Sequence, residues 1–288
     1  MKVVGFTILR NGLIMDYPFR ESILSALPLC DVFIVSVGQS EDGTYEAILD
    51  LARQDSRIQV RQSTWDLSNR QGGSVLAIET NKVLDNLPAA DWVLYLQADE
   101  VIHEADYGRI RKAMEENLTD FRVEGLLFDY VHFYGSYVWV GVSRRWYRRE
   151  VRVIRPWREI RAYRDAQGFR RGRKKLRVRP TGARIFHYGW VRPPQNQAEK
   201  LRRLHRYWHE EAWIEASLQK GFSYDLNQPL ERFEGTHPAV MQSRIDASQW
   251  DFPYDPAKVR LPWKERILHW IERQTGWRIG EFRNYRLG

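Results

Sequence analysis

The stretch Asp91-Trp-Val-Leu-Tyr-Leu-Gln-Ala-Asp99-Glu100 runs from an apolar segment straight into two adjacent carboxylates. A short apolar run bounded by polar residues reads as a buried strand, here 92–98. Two anions at the end of such a strand are costly unless something compensates them. Two readings stand side by side. A divalent cation, which prefers carboxylate oxygens, neutralises them. Alternatively, Asp99 and Glu100 cap a helix over 101–116, where acids favour the N-terminus.

Working outward, residues 3–9 form a short apolar run that stops at Arg10 with no small-residue cleavage site after it. It reads as an opening strand rather than a signal peptide. The pattern continues with helix 20–27, strand 32–38, a polar turn at 39–44, helix 45–54, strand 58–61 and helix 74–87. Strand and helix alternating over short connections predict a parallel sheet covered on both faces. Binding sites in such sheets lie at the carboxyl ends of the strands. Beyond residue 120, strands are expected at 123–134, 151–154 and 184–189, then a helical pattern over 195–220. Residues 227–262 read as irregular and 264–275 as an amphipathic helix. The expected fold class is therefore α/β, with a mostly parallel, Rossmann-like sheet flanked by helices. A catalytic and nucleotide-binding unit would span 1–193, and a mainly helical C-terminal extension 194–288.

The 288 residues are 43% hydrophobic and 28% charged, which suits one large or two small domains and excludes disorder, collagen and coiled coil. The single cysteine, Cys30, excludes an internal disulfide and a cysteine-based metal cluster. No apolar run is long enough to span a bilayer. The net charge of +8 is concentrated: residues 144–184 hold 17 Lys and Arg against 3 acids, and the rest of the chain is net acidic. That segment reads as a solvated loop, as a platform for an anionic acceptor, or as a nucleic-acid surface. In the last case Trp146, Tyr147, Trp157, Tyr163 and Phe169 would stack on bases.

Three motifs occur in order: Phe6-Thr-Ile-Leu-Arg-Asn11, Gln39-Ser-Glu-Asp-Gly-Thr44 and Leu96-Gln-Ala-Asp-Glu100. Together they resemble the GT-A glycosyltransferases of the family 2 type, over roughly the first 105 residues. The resemblance implies a GT-A fold and an inverting transfer of sugar from a nucleotide diphospho-sugar to an acceptor hydroxyl. It implies Mg²⁺ or Mn²⁺ bound by Asp99, with His187 as an additional ligand. Thr7, Arg10, Asn11, Asp42, Arg70 and Gln97 would line the nucleotide side, and Arg192 would clamp the diphosphate. Arg70 belongs to the loop Trp65–Gly73, whose glycines allow close approach of backbone to ligand.

The implied setting is cytoplasmic assembly of a surface polysaccharide or glycolipid. The acceptor would be a glycan or lipid-linked, with peripheral contact at the membrane's inner face. The chain departs from the family pattern in three places. Gly12 stands for the usual Glu, Val37-Gly38 lack the base-reading acid, and Gln97 replaces the first Asp of the Asp-x-Asp motif.

Taken alone, His187 in the aromatic run Arg184-Ile-Phe-His-Tyr-Gly-Trp190 also reads as a core histidine. For the general base that inverting transfer needs, Asp165 fits the family's order best, followed by Glu150 and Asp129. Gly168 would let the Asp165 segment turn tightly. Each of these acids also reads as an ion-pair partner of the surrounding arginines. Two other functions remain open: a catalytically silent GT-A-like module for sugar nucleotides or glycans, and a nucleic-acid-binding protein using 144–184.

Overall fold

The computed structural model describes residues 1–68, 71–218 and 221–288. Its first half follows the sequence pattern closely. Strand β1 (Val3–Leu9) leads through helix α1 (Phe19–Ala26) to β2 (Val32–Gly38). Helix α2 (Thr44–Gln54), β3 (Ile58–Ser63), α3 (Ser74–Asp85) and β4 (Trp92–Tyr95) follow. The strands β3-β2-β1-β4 lie side by side and all pair in parallel. Every residue of β1 is buried, as expected of a strand covered on both faces. In α2, Ala47, Ile48 and Leu51 are buried at helical spacing and seat it on the sheet.

The sheet then changes character. After β4 come β5 (Glu100–Ile102), helix α4 (Tyr107–Glu116), β6 (Gly125–Tyr134), β7 (Trp139–Gly141) and β8 (Arg149–Ile154). They lead into β9 (Ile160–Tyr163), β10 (Gly168–Arg171) and the seventeen-residue β11 (Lys174–Trp190). Strands β4 and β8, β8 and β6, and β9, β10 and β11 are joined antiparallel, whereas β6 and β11 pair in parallel. The thirteen-stranded sheet is therefore mixed, not mostly parallel. Residues 100–102 form a strand against β11 instead of opening a helix, so Asp99 and Glu100 are not helix caps.

The basic segment is mostly strand, not loop; Arg152 and Arg155 are buried inside the fold, and most of its other basic residues are exposed. Arg155 lies 3.8 Å over the Trp92 ring and donates to the Asn117 and Leu118 carbonyls. Arg149, Arg161 and Arg171 pair with Asp129, Asp85 and Glu124. Of the aromatics offered for base stacking, Phe169 is buried, Trp157 is covered by Arg171 and Tyr163 donates to Asn284. Three of the five aromatics offered for stacking are thus engaged within the chain.

Past β11, helices α5 (Pro194–His205) and α6 (Glu211–Leu218) replace the one helix expected over 195–220. The expected irregular region holds only β12 (Leu230–Arg232) and α7 (Gln242–Asp246) as regular elements beyond single turns. Helix α8 (Trp263–Thr275) has no buried residue and exposes Trp263, Ile267 and Trp270 on one face. The C-terminal part is only partly helical: β12 pairs with β7, and β13 (Tyr285–Leu287) pairs with β11. Among the described residues, no helix is long and apolar enough to cross a membrane.

Candidate active site

A cavity of about 350 Å³ opens where β1 and β4 end. From those ends it takes Ile8, Leu9, Arg10, Gln97, Ala98 and Asp99; α5 and the turns after it add Lys200, Leu204, Tyr207 and Trp208. Asp99 and Asp165 are the two carboxylates on its wall among the described residues.

The adjacent acids of the opening motif have separate fates. Glu100 is fully buried and held by Arg152, whose Nε and Nη2 donate to its two oxygens at 2.7 Å each. The Tyr130 hydroxyl and the Gln97 amide also donate to it. Such a bidentate pair, with its remaining lone pairs satisfied, is what a buried carboxylate requires. Glu100 is thus structural, and it anchors the turn that presents Asp99.

Asp99 meets His187 and Lys200. Its Oδ2 lies 3.7 Å from His187 Nε2 and 3.3 Å from Lys200 Nζ. Lys200 also donates to the Gly189 carbonyl at 2.7 Å and sits 4.6 Å over the Tyr17 ring. Burial alone would raise the Asp99 carboxyl, but the cations Lys200 and Arg192 outweigh it and hold it below its ordinary value. Burial and the nearby Arg192 push the Lys200 ammonium down to about 7 against the pull of Asp99.

His187 does not act alone. Its neighbour across the β6–β11 pairing is His132, and their Nδ1 atoms are 3.1 Å apart. His132 Nε2 lies 2.7 Å from the Tyr147 carbonyl, which can only accept, so Nε2 carries the proton and Nδ1 is bare. His187 Nδ1 then donates to His132, and His187 Nε2 is left as a bare lone pair on the cavity side. Burial lowers the pKa of both imidazoles, which keeps this neutral arrangement. A register shift in β11 between His187 and Trp190 turns the strand at Gly189. A Cβ there would stand 2.6 Å from Asp99 Oδ2 and 2.7 Å from His187 Nε2, so the contact needs a glycine.

Two loops border the cavity, and both carry backbone strain. All four non-glycine residues with left-handed φ among the described residues lie on them: Asn11 and Asp16 in one, Arg164 and Ala166 in the other. The first loop presents Met15 and Tyr17 to the cavity, the second Asp165 and Gln167. Asp165 is half-buried, and its one hydrogen bond among the described residues is a weak 3.4 Å contact from the Gln167 amide. The expected role of Gly168 is overturned, since Arg164 and Ala166 make the turn. A Cβ on Gly168 would instead collide with Asn284 and Glu150.

Of the residues expected at the site, Arg10, Gln97, Asp99, Asp165 and His187 line this cavity. Thr7, Asn11 and Asp42 do not. Thr7 is buried within β1, Asn11 Oδ1 accepts the Glu41 amide, and Asp42 holds Ile14 and Thr44. Those two polar side chains shape the 10–17 loop. Asp129 pairs with Arg149 at 2.6 Å away from the cavity wall. Glu150 is buried beside Asn284 and Gln167, off the wall, with its carboxyl pushed up to about 7 by burial. Arg192 lies behind the wall. It is 5.9 Å from Tyr17, donates Nη2 to the Asp16 carbonyl, and has Nε and Nη1 buried without a partner. Arg70 falls outside the described residues.

Sequence reasoning missed Lys200, His132, Tyr17 and the aromatic wall of Trp65, Tyr207 and Trp208. One signal for His132 was available: Val-His-Phe-Tyr at 131–134 and Phe-His-Tyr at 186–188 are near copies.

No protein-family model matches the chain, and no curated protein matches it. Among solved structures it is similar to TarS of S. aureus at 15% identity and TM-score 0.39, over 76% of this chain and 42% of that one. TarS 1-349 in complex with UDP aligns at 14% identity and TM-score 0.38, over 76% and 70%. Glucosyl-3-phosphoglycerate synthase of Mycobacterium tuberculosis, in complex with Mn²⁺, UDP and glucosyl-3-phosphoglycerate, aligns at 15% identity and TM-score 0.30, over 46% and 45%. The chain thus spans less than half the length of the first and the last of these.

The residues present fit a resident divalent cation poorly. Asp99 and His187 are two donors at a spacing one ion can bridge, but the carboxylate oxygen already has the ammonium of Lys200 against it. Gln97 supplies no second carboxylate. Among the described residues, no three His, Cys, Asp or Glu side chains converge to hold a metal.

Proposed function

We propose that the chain is a glycosyltransferase that moves a sugar from a nucleotide diphospho-sugar to an acceptor hydroxyl, with inversion. One observation carries the reading. The carboxylate of the family-like motif, Asp99, shares one cavity with a buried cation, an aromatic wall and a second carboxylate, Asp165, that makes no ion pair among the described residues. Trp65, Leu76, Tyr207 and Trp208 offer the apolar surface that a nucleobase stacks on. Lys200 lies where a diphosphate would leave. His132, Trp146, Tyr147 and Trp190 cluster in ring contacts beside Asp165 and Gln167, an aromatic surface suited to a sugar acceptor.

In this reading Asp165 takes the proton of the acceptor hydroxyl. The freed oxygen attacks the anomeric carbon, the bond from that carbon to the phosphate oxygen breaks, and the nucleoside diphosphate departs with the electron pair. Asp165 is suited to the task because Asp99 is already paired with Lys200 and cannot serve as base. The strained turn at 164–166 holds Asp165 on the wall. No step is routed through Mg²⁺ or Mn²⁺. A glycan or lipid-linked acceptor, a role in surface polysaccharide or glycolipid assembly, and membrane contact through the exposed tryptophans of α8 belong to the same proposal.

The test is a panel of UDP-, GDP-, CDP- and dTDP-sugars scored for release of the nucleoside diphosphate. One donor class should turn over. Asp165→Asn should reduce turnover by about 10²-fold or more while leaving nucleotide binding intact. Binding without turnover of any donor in the panel, acceptor mixtures included, would instead favour a silent sugar-nucleotide-binding module.

A further inference from the structure

The sequence resemblance calls for a divalent ion at Asp99, and the geometry points elsewhere. We propose that Lys200 is the resident cation of the site, and that it receives the donor's diphosphate without a metal ion. The inference rests on the glycosyl-transfer reading above and specifies how that site handles charge.

Three observations support it. First, the Lys200 ammonium is buried and doubly held, 3.3 Å from Asp99 Oδ2 and 2.7 Å from the Gly189 carbonyl. These contacts fix it on the cavity wall, and an ammonium has a third donor left for a ligand oxygen. Second, Arg192 stands just behind with Nε and Nη1 buried and unpartnered. Two cations thus face Asp99, the other nearby carboxylate, Asp16, being paired with Arg244, and an arriving anion relieves this imbalance whereas a dication aggravates it. Third, the position that would add a second carboxylate is Gln97, a neutral amide on the cavity wall.

Asp99 then has a different task from that of a metal ligand. It orients the ammonium, helped by the bend at Gly189, where strand backbone and carboxylate meet Lys200 together. As the leaving diphosphate gains charge, Lys200 is already in position, which is the preorganised form of electrostatic stabilisation.

The experiment uses the full chain and the probes UDP, GDP, CDP and dTDP, with binding read by calorimetry and thermal shift in EDTA and in Mn²⁺. The expected result is that one nucleoside diphosphate binds with an affinity in EDTA within about twofold of that in Mn²⁺. Lys200→Met should weaken binding in EDTA by about tenfold or more, the loss of a charge-assisted contact. That variant leaves Asp99 uncompensated, so Asp99→Asn/Lys200→Met, which removes both charges, must show the same loss. Binding by the unaltered chain that appears only with Mn²⁺ would overturn the inference and leave the transferase reading standing. Unchanged binding in both Lys200 variants would overturn it too. No binding of any probe in either condition would remove the transferase reading, and the inference with it.

Discussion

Replacing Gly189 with alanine adds one methyl group at the centre of the site. That methyl would stand 2.6 Å from Asp99 Oδ2 and 2.7 Å from His187 Nε2 and Cε1 at 2.8 Å. Ordinary contact begins near 3.4 Å, so carboxylate and imidazole must both retreat by most of an ångström. The Asp99–Lys200 contact, now 3.3 Å, stretches or breaks, and the bare nitrogen of His187 turns from the cavity. Misplacing catalytic groups by about 1 Å costs on the order of 10²-fold in rate. The expected result for Gly189→Ala is a loss of that size in donor turnover, with at least tenfold weaker nucleoside diphosphate binding, a charge-assisted contact being worth about 1.5–3 kcal/mol. Gly108→Ala is the control, because nothing lies within 4 Å of the added carbon and the position is helical. It should raise stability by up to about 1 kcal/mol and leave turnover alone. Urea unfolding of both variants separates site damage from global damage. Turnover and binding in Gly189→Ala within twofold of the unaltered chain would refute the account of Asp99, His187 and Lys200 as one packed unit.

Two further outcomes follow from the buried charges. Arg152→Met leaves Glu100 buried without its partner and should cost about 3–5 kcal/mol in denaturant unfolding. Adding Glu100→Gln should recover a good part of that loss, and additive losses in the double variant would contradict the pairing. Glu150, whose carboxyl is raised from 4.5 to about 7 by burial, keeps its proton in the folded chain where the unfolded chain has released it. Its stabilising contribution is therefore full below pH 4.5 and declines as pH rises to about 7, by about 3 kcal/mol in all. Glu150→Gln should flatten that decline, and parallel stability–pH curves for the two proteins would show that Glu150 ionises freely.

The first four sheet strands and helices α2 and α3 were legible because each buries a simple apolar period. Of the later strands, β6, β8 and the end of β11 were legible as well, whereas β9, β10 and the first part of β11 were not, since basic residues mask their alternation. Arg152 and Arg155 sit inside the fold on the Glu100 carboxylate, the Asn117 and Leu118 carbonyls and the Trp92 indole, which lie 37 to 63 residues earlier in the chain. The 101–116 helix was misjudged at its start for a related reason. Val101 and Ile102 look helical beside residues 107–116, but pairing with β11 claims them as strand. At the site, Asp99, His187, Asp165, Gln97 and Arg10 could be named from motifs and strand ends. Lys200 could not, because its place beside Asp99 depends on how α5 packs, and one lysine among the basic residues of a helix carries no mark. Asp42 and Asn11 belong to the motif that suggested them, yet their side chains are consumed in holding the loop that presents Tyr17.

The long strand β11 gives the molecule a division of labour that redesign can use. Its first residues pair with β10 and so carry the 164–167 turn, while its last residues bear His187 and Gly189. A change in strand register would move both ends at once and disturb the donor side with the acceptor side. A change in the turn alone would not. On the proposed transfer reading, acceptor preference is therefore best altered by grafting new 164–167 turns onto an untouched strand, with donor choice inherited intact by every graft.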